Sequence, residues 1–290
     1  MASVRKFRSF VAIDWSGAKG PRQRGIAIAC CERGRAAPLL VRPGHVWSRQ
    51  DVLDWLLAEL PPDTLVGMDL SPSLPFADRG AFFPGWQQSP RDARSLWRLV
   101  DEICADDPHL ASTSFADHPE ASRHFRRHGG RTGDLFGIGA GRLRRVEERQ
   151  RDHQLAPYSC MNLVGAAQVG KSSLTGMRVF QRLGGAIPFW PFDPLPDSGS
   201  VLVEIYTSLA ARQAGLPKGR SKITDAALLD DALGALGSER HAPLSRYSDH
   251  ATDAILTSSW LRKVASDPRL WNPQGLNDVA QTEGWTFGVT

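Results

Sequence analysis

Apolar residues recur along the chain in short runs that end on an acid. Phe10-Val11-Ala12-Ile13 closes on Asp14, and Trp15-Ser16-Gly17 follows at once. A run of this length bounded by turn residues predicts a buried strand. Residues 65–69 repeat the pattern with Asp69, and residues 201–206 repeat it around Glu204. Between the first two runs, residues 25–31 and 38–46 predict two more strands, joined by Gly-bearing turns. Three strands joined by tight turns predict an antiparallel meander. Ser48 then has the chemistry of an N-cap and Asp51 that of a capping box. Val52, Leu53, Leu56, Leu57 and Leu60 follow at helical spacing, and Pro61-Pro62 stops the helix. The strand at 65–69 therefore follows a helix, which predicts a crossover and parallel pairing with the first strand.

After Leu70 the pattern changes. Residues 71–90 are rich in Pro, Gly and aromatics, and residues 94–104 predict a short helix. A further helix is expected over 119–128 and another over 172–183, before a Pro-rich return over 184–200. The fifth strand, 201–206, precedes helical patterns at 207–214, 222–236 and 249–265, the last capped by Ser248. On that last helix Asp249, Asp253, Leu256, Trp260 and Val264 share one stripe at about 100° per residue. Residues 283–288 predict a short edge strand. The expected organisation is one domain: a core of residues 1–70 and 201–290, with 71–200 inserted as a lid or substrate platform.

Composition narrows the class. The chain has 290 residues, 41% hydrophobic and 23% charged, enough for a substantial core and without the signature of global disorder. A net charge of +4 permits nucleic acid as a partner. The four cysteines, Cys30, Cys31, Cys104 and Cys160, form no CxxC pair, so they read as buried thiols of a reducing cytoplasm. Arg5, Lys6 and Arg8 precede an apolar run too short for a usual signal peptide, and no stretch is long enough to span a membrane.

Three antiparallel strands, a helix, a parallel fourth strand, then a fifth strand and a final acidic helix is the order of the ribonuclease-H-like fold. The expected fold class is thus α/β, a mixed five-stranded sheet with flanking helices and a long insertion after strand four. Five pieces also resemble domain-of-unknown-function family 429, a group of predicted ribonuclease-H-like nucleases. They are Ile13-Asp14-Trp15-Ser16-Gly17, Gly67-Met68-Asp69-Leu70-Ser71-Pro72, Val203-Glu204-Ile205-Tyr206, Asp249-His250-Ala251-Thr252-Asp253-Ala254 and Glu283-Gly284-Trp285, and they span nearly the whole chain. The resemblance implies a nuclease that uses a divalent metal.

Carboxylates suit that chemistry because Mg²⁺ or Mn²⁺ takes hard oxygen ligands, and two such ions about 4 Å apart hold both the attacking and leaving oxygens. Asp14, Asp69, Glu204 and Asp253 are the expected metal-ligating and catalytic residues. For Asp14 and Asp69 the alternative is a strand-end acid accepting loop N–H bonds. For Asp253 it is a buried structural pair, and for Asp249 an acid favoured by the helix dipole. The facing of Glu204 depends on strand register. His250, beside these acids, has a protonation role or a plain surface role open to it.

Gly165 to Ser172 spells G-x-x-x-x-G-K-S, yet the required preceding strand is weak and the setting lacks βαβ repeats. Lys171 is the more useful part, as an anion contact at the site rim. Arg142, Arg144 and Arg145 belong to an arginine-rich stretch, Arg123 to Arg151, that could bind a phosphate backbone, while Glu147, Glu148 and Asp152 interleave as in a salt-bridged surface helix. His118, His124 and His128 lack cysteine partners for a zinc site. The leading expectation is a metal-dependent nuclease. An actin-like phosphotransferase, which would need a second copy of the core, and a non-catalytic nucleic-acid or nucleotide binding module are the rivals.

Overall fold

The apolar runs pair edge to edge in one mixed sheet. The computed structural model describes residues 6–137, 139–165, 168–217 and 222–290. Within them the strands are β1 (Ser9–Asp14), β2 (Ala27–Glu32), β3 (Leu39–Leu40), β4 (Thr64–Asp69), β5 (Phe189–Trp190) and β6 (Val201–Glu204). Their order across the sheet is β3-β2-β1-β4-β6-β5. The first three are antiparallel; β4 is parallel to β1, β6 to β4 and β5 to β6. This α/β arrangement is consistent with ribonuclease-H-like topology. The sheet has six strands where five were expected. The added β5 is two residues long, too short for a period of two to show, and it sits in a Pro-rich stretch. The third strand shrinks from 38–46 to two residues because Arg42 turns into the left-handed region (φ 50°) ahead of Pro43-Gly44, which cannot continue a ladder.

The helices are α1 (Arg49–Ala58), α2 (Ala93–Ile103), α3 (Thr113–Asp117), α4 (Arg145–Asp152), α5 (Val169–Leu183), α6 (Thr207–Gln213), α7 (Ala226–Ala235), α8 (Asp249–Val264), α9 (Pro268–Trp271) and α10 (Leu276–Val279). The α1 capping box forms as its residues dictate: Asp51 N–H donates to Ser48 Oγ at 2.9 Å, and Ser48 N–H to the Asp51 carboxylate at 3.0 Å. Ser48 and Ser248 cap the two helices assigned to them. Residues 119–128 instead form only a 3₁₀ turn over Ala121–His124. The tail contributes an isolated bridge from Thr286 to Glu204 rather than a strand.

Alternation along the strands divides the core into two layers. Phe10, Ala12, Val201 and Val203 pack on the side of α8, with Ile255, Leu256 and Trp260. Val11, Ile13, Val66 and Met68 pack on the opposite side, with Leu53 of α1 and Leu174, Met177 and Phe180 of α5. Since α2 and α5 both lie within 71–200, that stretch supplies most of the second helical layer, its Leu96, Trp97 and Val100 buried in the same core.

The turn after β1 is pressed against the first turn of α5. Gly17 N–H donates to Ser172 Oγ at 3.1 Å, and a Cβ on Gly17 would lie 2.4 Å from the Lys171 carbonyl carbon. Only glycine fits there. Among the described residues no helix is long and apolar enough to cross a membrane.

Candidate active site

Asp14 and Asp69 end β1 and β4 and stand directly opposite each other in the parallel register. Neighbouring strands lie about 4.8 Å apart, so two acids in register at adjacent strand ends are close neighbours. Both follow the alternation of the α8 face: Asp14 continues Phe10 and Ala12, and Asp69 continues Leu65 and Gly67. Gly67 keeps that face low, because a Cβ there would meet the Ile205 side chain at 2.5 Å and Leu261 at 2.9 Å.

Helix α8 brings the third acid. It lies against β1 and β2, seated by Ser258, whose hydroxyl donates to the Phe10 carbonyl at 2.8 Å. Small residues, Ala251, Ala254, Ser258 and Ser259, let the helix approach the sheet closely. Its N-terminal turns then overhang the ends of β1 and β4. There Asp253 feels the charges of Asp14 and Asp249, and His250 Nδ1 bonds the Asp14 carboxylate at 2.7 Å. Asp249, half-exposed, forms its own ion pair with Lys222 at 2.5 Å. On the other side, Thr207 Oγ1 donates to Asp69 at 3.2 Å from the first turn of α6.

The electrostatics of this group are those of acids short of positive charge. Burial first, then the charges of Asp14 and Asp253, push the Asp69 carboxyl well above the usual carboxylate range, against the hydrogen bonds of Thr207. Burial, then Asp14 and Asp249, push Asp253 up to about 7. Burial also raises Asp14, which its hydrogen bond to His250 only partly offsets. That same hydrogen bond raises His250, so the pair holds a proton between Nδ1 and the carboxylate.

Glu204 does not join them. It stands beside Met68 in the register, one residue out of step with Asp69, and a one-residue offset turns a side chain to the other face. There it meets Arg144 end-on, accepting two guanidinium bonds at 2.6 and 2.8 Å and a third from Thr286 Oγ1 at 2.7 Å. Arg144 also binds Glu147 at 3.0 Å and is itself buried. Burial alone would lower the Arg144 pKa, but Glu204 and Glu147 hold it well above its ordinary range. Glu204, expected as a metal ligand, and Arg144, expected as a substrate contact, are thus each other's partner in the fold. A cavity of about 190 Å³ opens between this pair and Asp69, walled by Trp15, Ser71, Tyr158 and Tyr206.

Arg142, also expected as a substrate contact, has partners of its own. It is buried, bound twice by Asp78 at 2.5 and 2.8 Å, and donates to the carbonyls of Pro75, Ala81 and Phe82, so it ties a loop together. Arg145 is exposed, with its backbone N–H on the Glu283 carboxylate at 2.6 Å. Lys171 lies in the first turn of α5, its Nζ on Gln168 at 3.1 Å and His128 at 3.0 Å. The described residues before that helix give only an isolated bridge at Asn162, so no strand leads into a phosphate loop; residues 166–167 of the G-x-x-x-x-G-K-S stretch lie outside the described residues. Thr207 was not among the residues singled out from the sequence; His250 was, with a protonation role and a surface role both open. The signal for His250 was its spacing, three residues before Asp253 and hence on the same helix face.

Oxygen donors from Asp14, Asp69 and Asp253, with His250 alongside, match a hard divalent cation in chemistry and in charge. They are not drawn into a ready-made cage: among the described residues no three His, Cys, Asp or Glu side chains are grouped closely enough to hold a metal as they stand. No protein-family model matches the chain. No curated protein and no solved structure shows significant similarity to it.

Proposed function

We propose that this chain is a metal-dependent phosphodiesterase that hydrolyses nucleic acid, with Asp14, Asp69 and Asp253 as the ligands of Mg²⁺ or Mn²⁺. One observation carries the reading. Three buried or half-buried acids come together from β1, β4 and α8, burial raises the pKa of each, the charge of Asp14 adds to the rise at Asp69 and Asp253, and among the described residues no Lys or Arg is ion-paired with any of them. Buried acids kept without a cation of their own are arranged for one from outside. The motif resemblance to domain-of-unknown-function family 429 belongs to the same proposal.

A divalent ion, when bound, would supply Lewis-acid polarisation of a phosphoryl oxygen and a more acidic water. The chain's residues do the rest. Asp14 and Asp69 present oxygens from rigid strand ends. Thr207 fixes the Asp69 rotamer, and His250 orients Asp14 while holding a proton at Nδ1. The aromatic walls beside Asp69 give a nucleotide ring an apolar surface to lie against.

Calorimetric titration of Mn²⁺ into wild type and Asp14→Asn tests the reading, followed by hydrolysis of single-stranded, duplex and branched DNA and RNA. Saturable binding is expected in wild type and lost in the variant, with hydrolysis down on the order of 10³-fold. Wild type that neither binds the ion nor cleaves any of these substrates in its presence overturns it. The rival reading, a non-catalytic binding module, draws on the lack of a ready-made metal cage among the described residues. It predicts nucleic-acid binding that chelator leaves unchanged.

A further inference from the structure

Behind the turn that follows β1, on the side of the sheet away from the aspartates, lies a second cavity of about 100 Å³. Its walls carry five cationic side chains, Lys19, Arg49, Arg127, Arg131 and Lys171, against one acid, Asp117. That acid is already shared: Arg127 Nη1 reaches its Oδ1 at 2.6 Å and Arg131 Nη1 the same oxygen at 3.3 Å.

Arg49 and Lys171 have neutral partners. Arg49 is buried and donates to the carbonyls of Ser16, Ala18 and His109. Burial, then the charge of Arg178, pushes it down to about 10. Lys171 bonds the Gln168 amide and the His128 ring, and burial followed by Lys19 lowers it. The Nε of Arg127 is buried without a hydrogen-bond partner among the described residues. The first turn of α5, a helix of fifteen residues, adds the positive end of its dipole.

A cavity of this size holds about three waters' share of liquid volume, room for one compact oxyanion. Guanidinium and ammonium groups around it match phosphate oxygens, Arg in pairs and Lys as a point charge. Its Gly17–Lys19 wall begins three residues after Asp14, a reach of at most about 10 Å along the chain.

We propose that this basic cavity is a phosphate site, and that it holds a phosphate of the substrate other than the one hydrolysed. The second half rests on the phosphodiesterase reading; the first does not. The strand under cleavage would then straddle the 15–19 turn, its scissile phosphate at the aspartates and a neighbouring or terminal phosphate among Lys19, Arg127, Arg131 and Lys171.

The test separates the two halves. Inorganic phosphate is titrated calorimetrically into the full chain in chelator at low salt, for wild type, Lys171→Gln, Arg131→Gln, the double variant that combines these two, and Asp14→Asn. Wild type binds saturably, each cavity variant weakens binding about tenfold, the double variant abolishes it, and Asp14→Asn binds at least as well as wild type. Wild type that binds no phosphate, or a double variant that binds it fully, overturns the site. In the second arm, metal-loaded protein cleaves a short oligonucleotide with and without a 5′ phosphate. Lys171→Gln and Arg131→Gln raise KM with kcat retained, and inorganic phosphate competes. A fall in kcat at unchanged KM, or no competition by phosphate, removes the substrate role. If no substrate is cleaved but phosphate still binds, the phosphodiesterase reading fails and the anion site stands.

Discussion

Two groups of buried acids lie at the same end of one sheet, on opposite faces, and the chain treats them differently. Glu204 and Glu147 receive a guanidinium from within: Arg144 binds both at 2.6–3.0 Å and is sealed from water with them. Asp14, Asp69 and Asp253 receive one half-exposed histidine, and their mutual repulsion is left standing. An acid that is buried with its counter-charge belongs to the folded structure. An acid that is buried without one is costly unless protonated or supplied with a cation, and that cost is reasonable where a ligand is to bind.

The comparison can be broken by substitutions on either side. Arg144→Met strands two buried carboxylates and should cost about 3–5 kcal/mol, read as a fall in urea midpoint at constant m. A loss below about 1 kcal/mol would mean Glu204 is not held by Arg144 and is free for other work. The pH dependence of the metal-free protein sharpens the other side. Asp253 titrates near 7 folded and at about 3.9 unfolded. Between those values the folded state keeps a proton that the unfolded chain has released, so this contribution is complete below about 4 and lost as pH rises through 7. Denaturation in chelator should therefore show stability falling across that window. Asp253→Asn should flatten the slope, and Mg²⁺ at pH 8 should restore stability. A flat profile in wild type would remove the repulsion argument. The smallest effect is the most pointed: Asp69→Asn in chelator should stabilise the protein by about 1 kcal/mol by removing an acid whose charged form burial and its neighbours disfavour. A destabilisation of the size seen at Arg144 would make Asp69 a structural acid.

Much of the first face was legible. Phe10 to Asp14 and the run to Asp69 carried their own strand signals, and the intervening helix forced parallel pairing, which put the two acids side by side. Ser248 and the stripe through Asp253, Leu256 and Trp260 placed the third acid near a helix start. The second face was not legible. Arg144 and Glu204 are sixty residues apart, and nothing local says that they meet. In sequence Arg142, Arg144 and Arg145 are one basic cluster; in the fold two are buried on acids and one is exposed. The basic cavity gathers Lys19, Arg49, Arg127 and Lys171 from four separate segments, so no window of sequence contains it.

Local chemistry was enough for the strands that end in Asp14 and Asp69, the capped helices α1 and α8, and the parallel crossover, because each follows from period, cap and turn chemistry within a short span. Which buried acid finds a cation was decided only by tertiary structure. A one-residue step in register set Glu204 on the far face, where Arg144, the residue before α4, meets it, while the same alternation left the aspartates facing α8. Charge pairing is a matter of distance in space, and distance in space is what local sequence does not record.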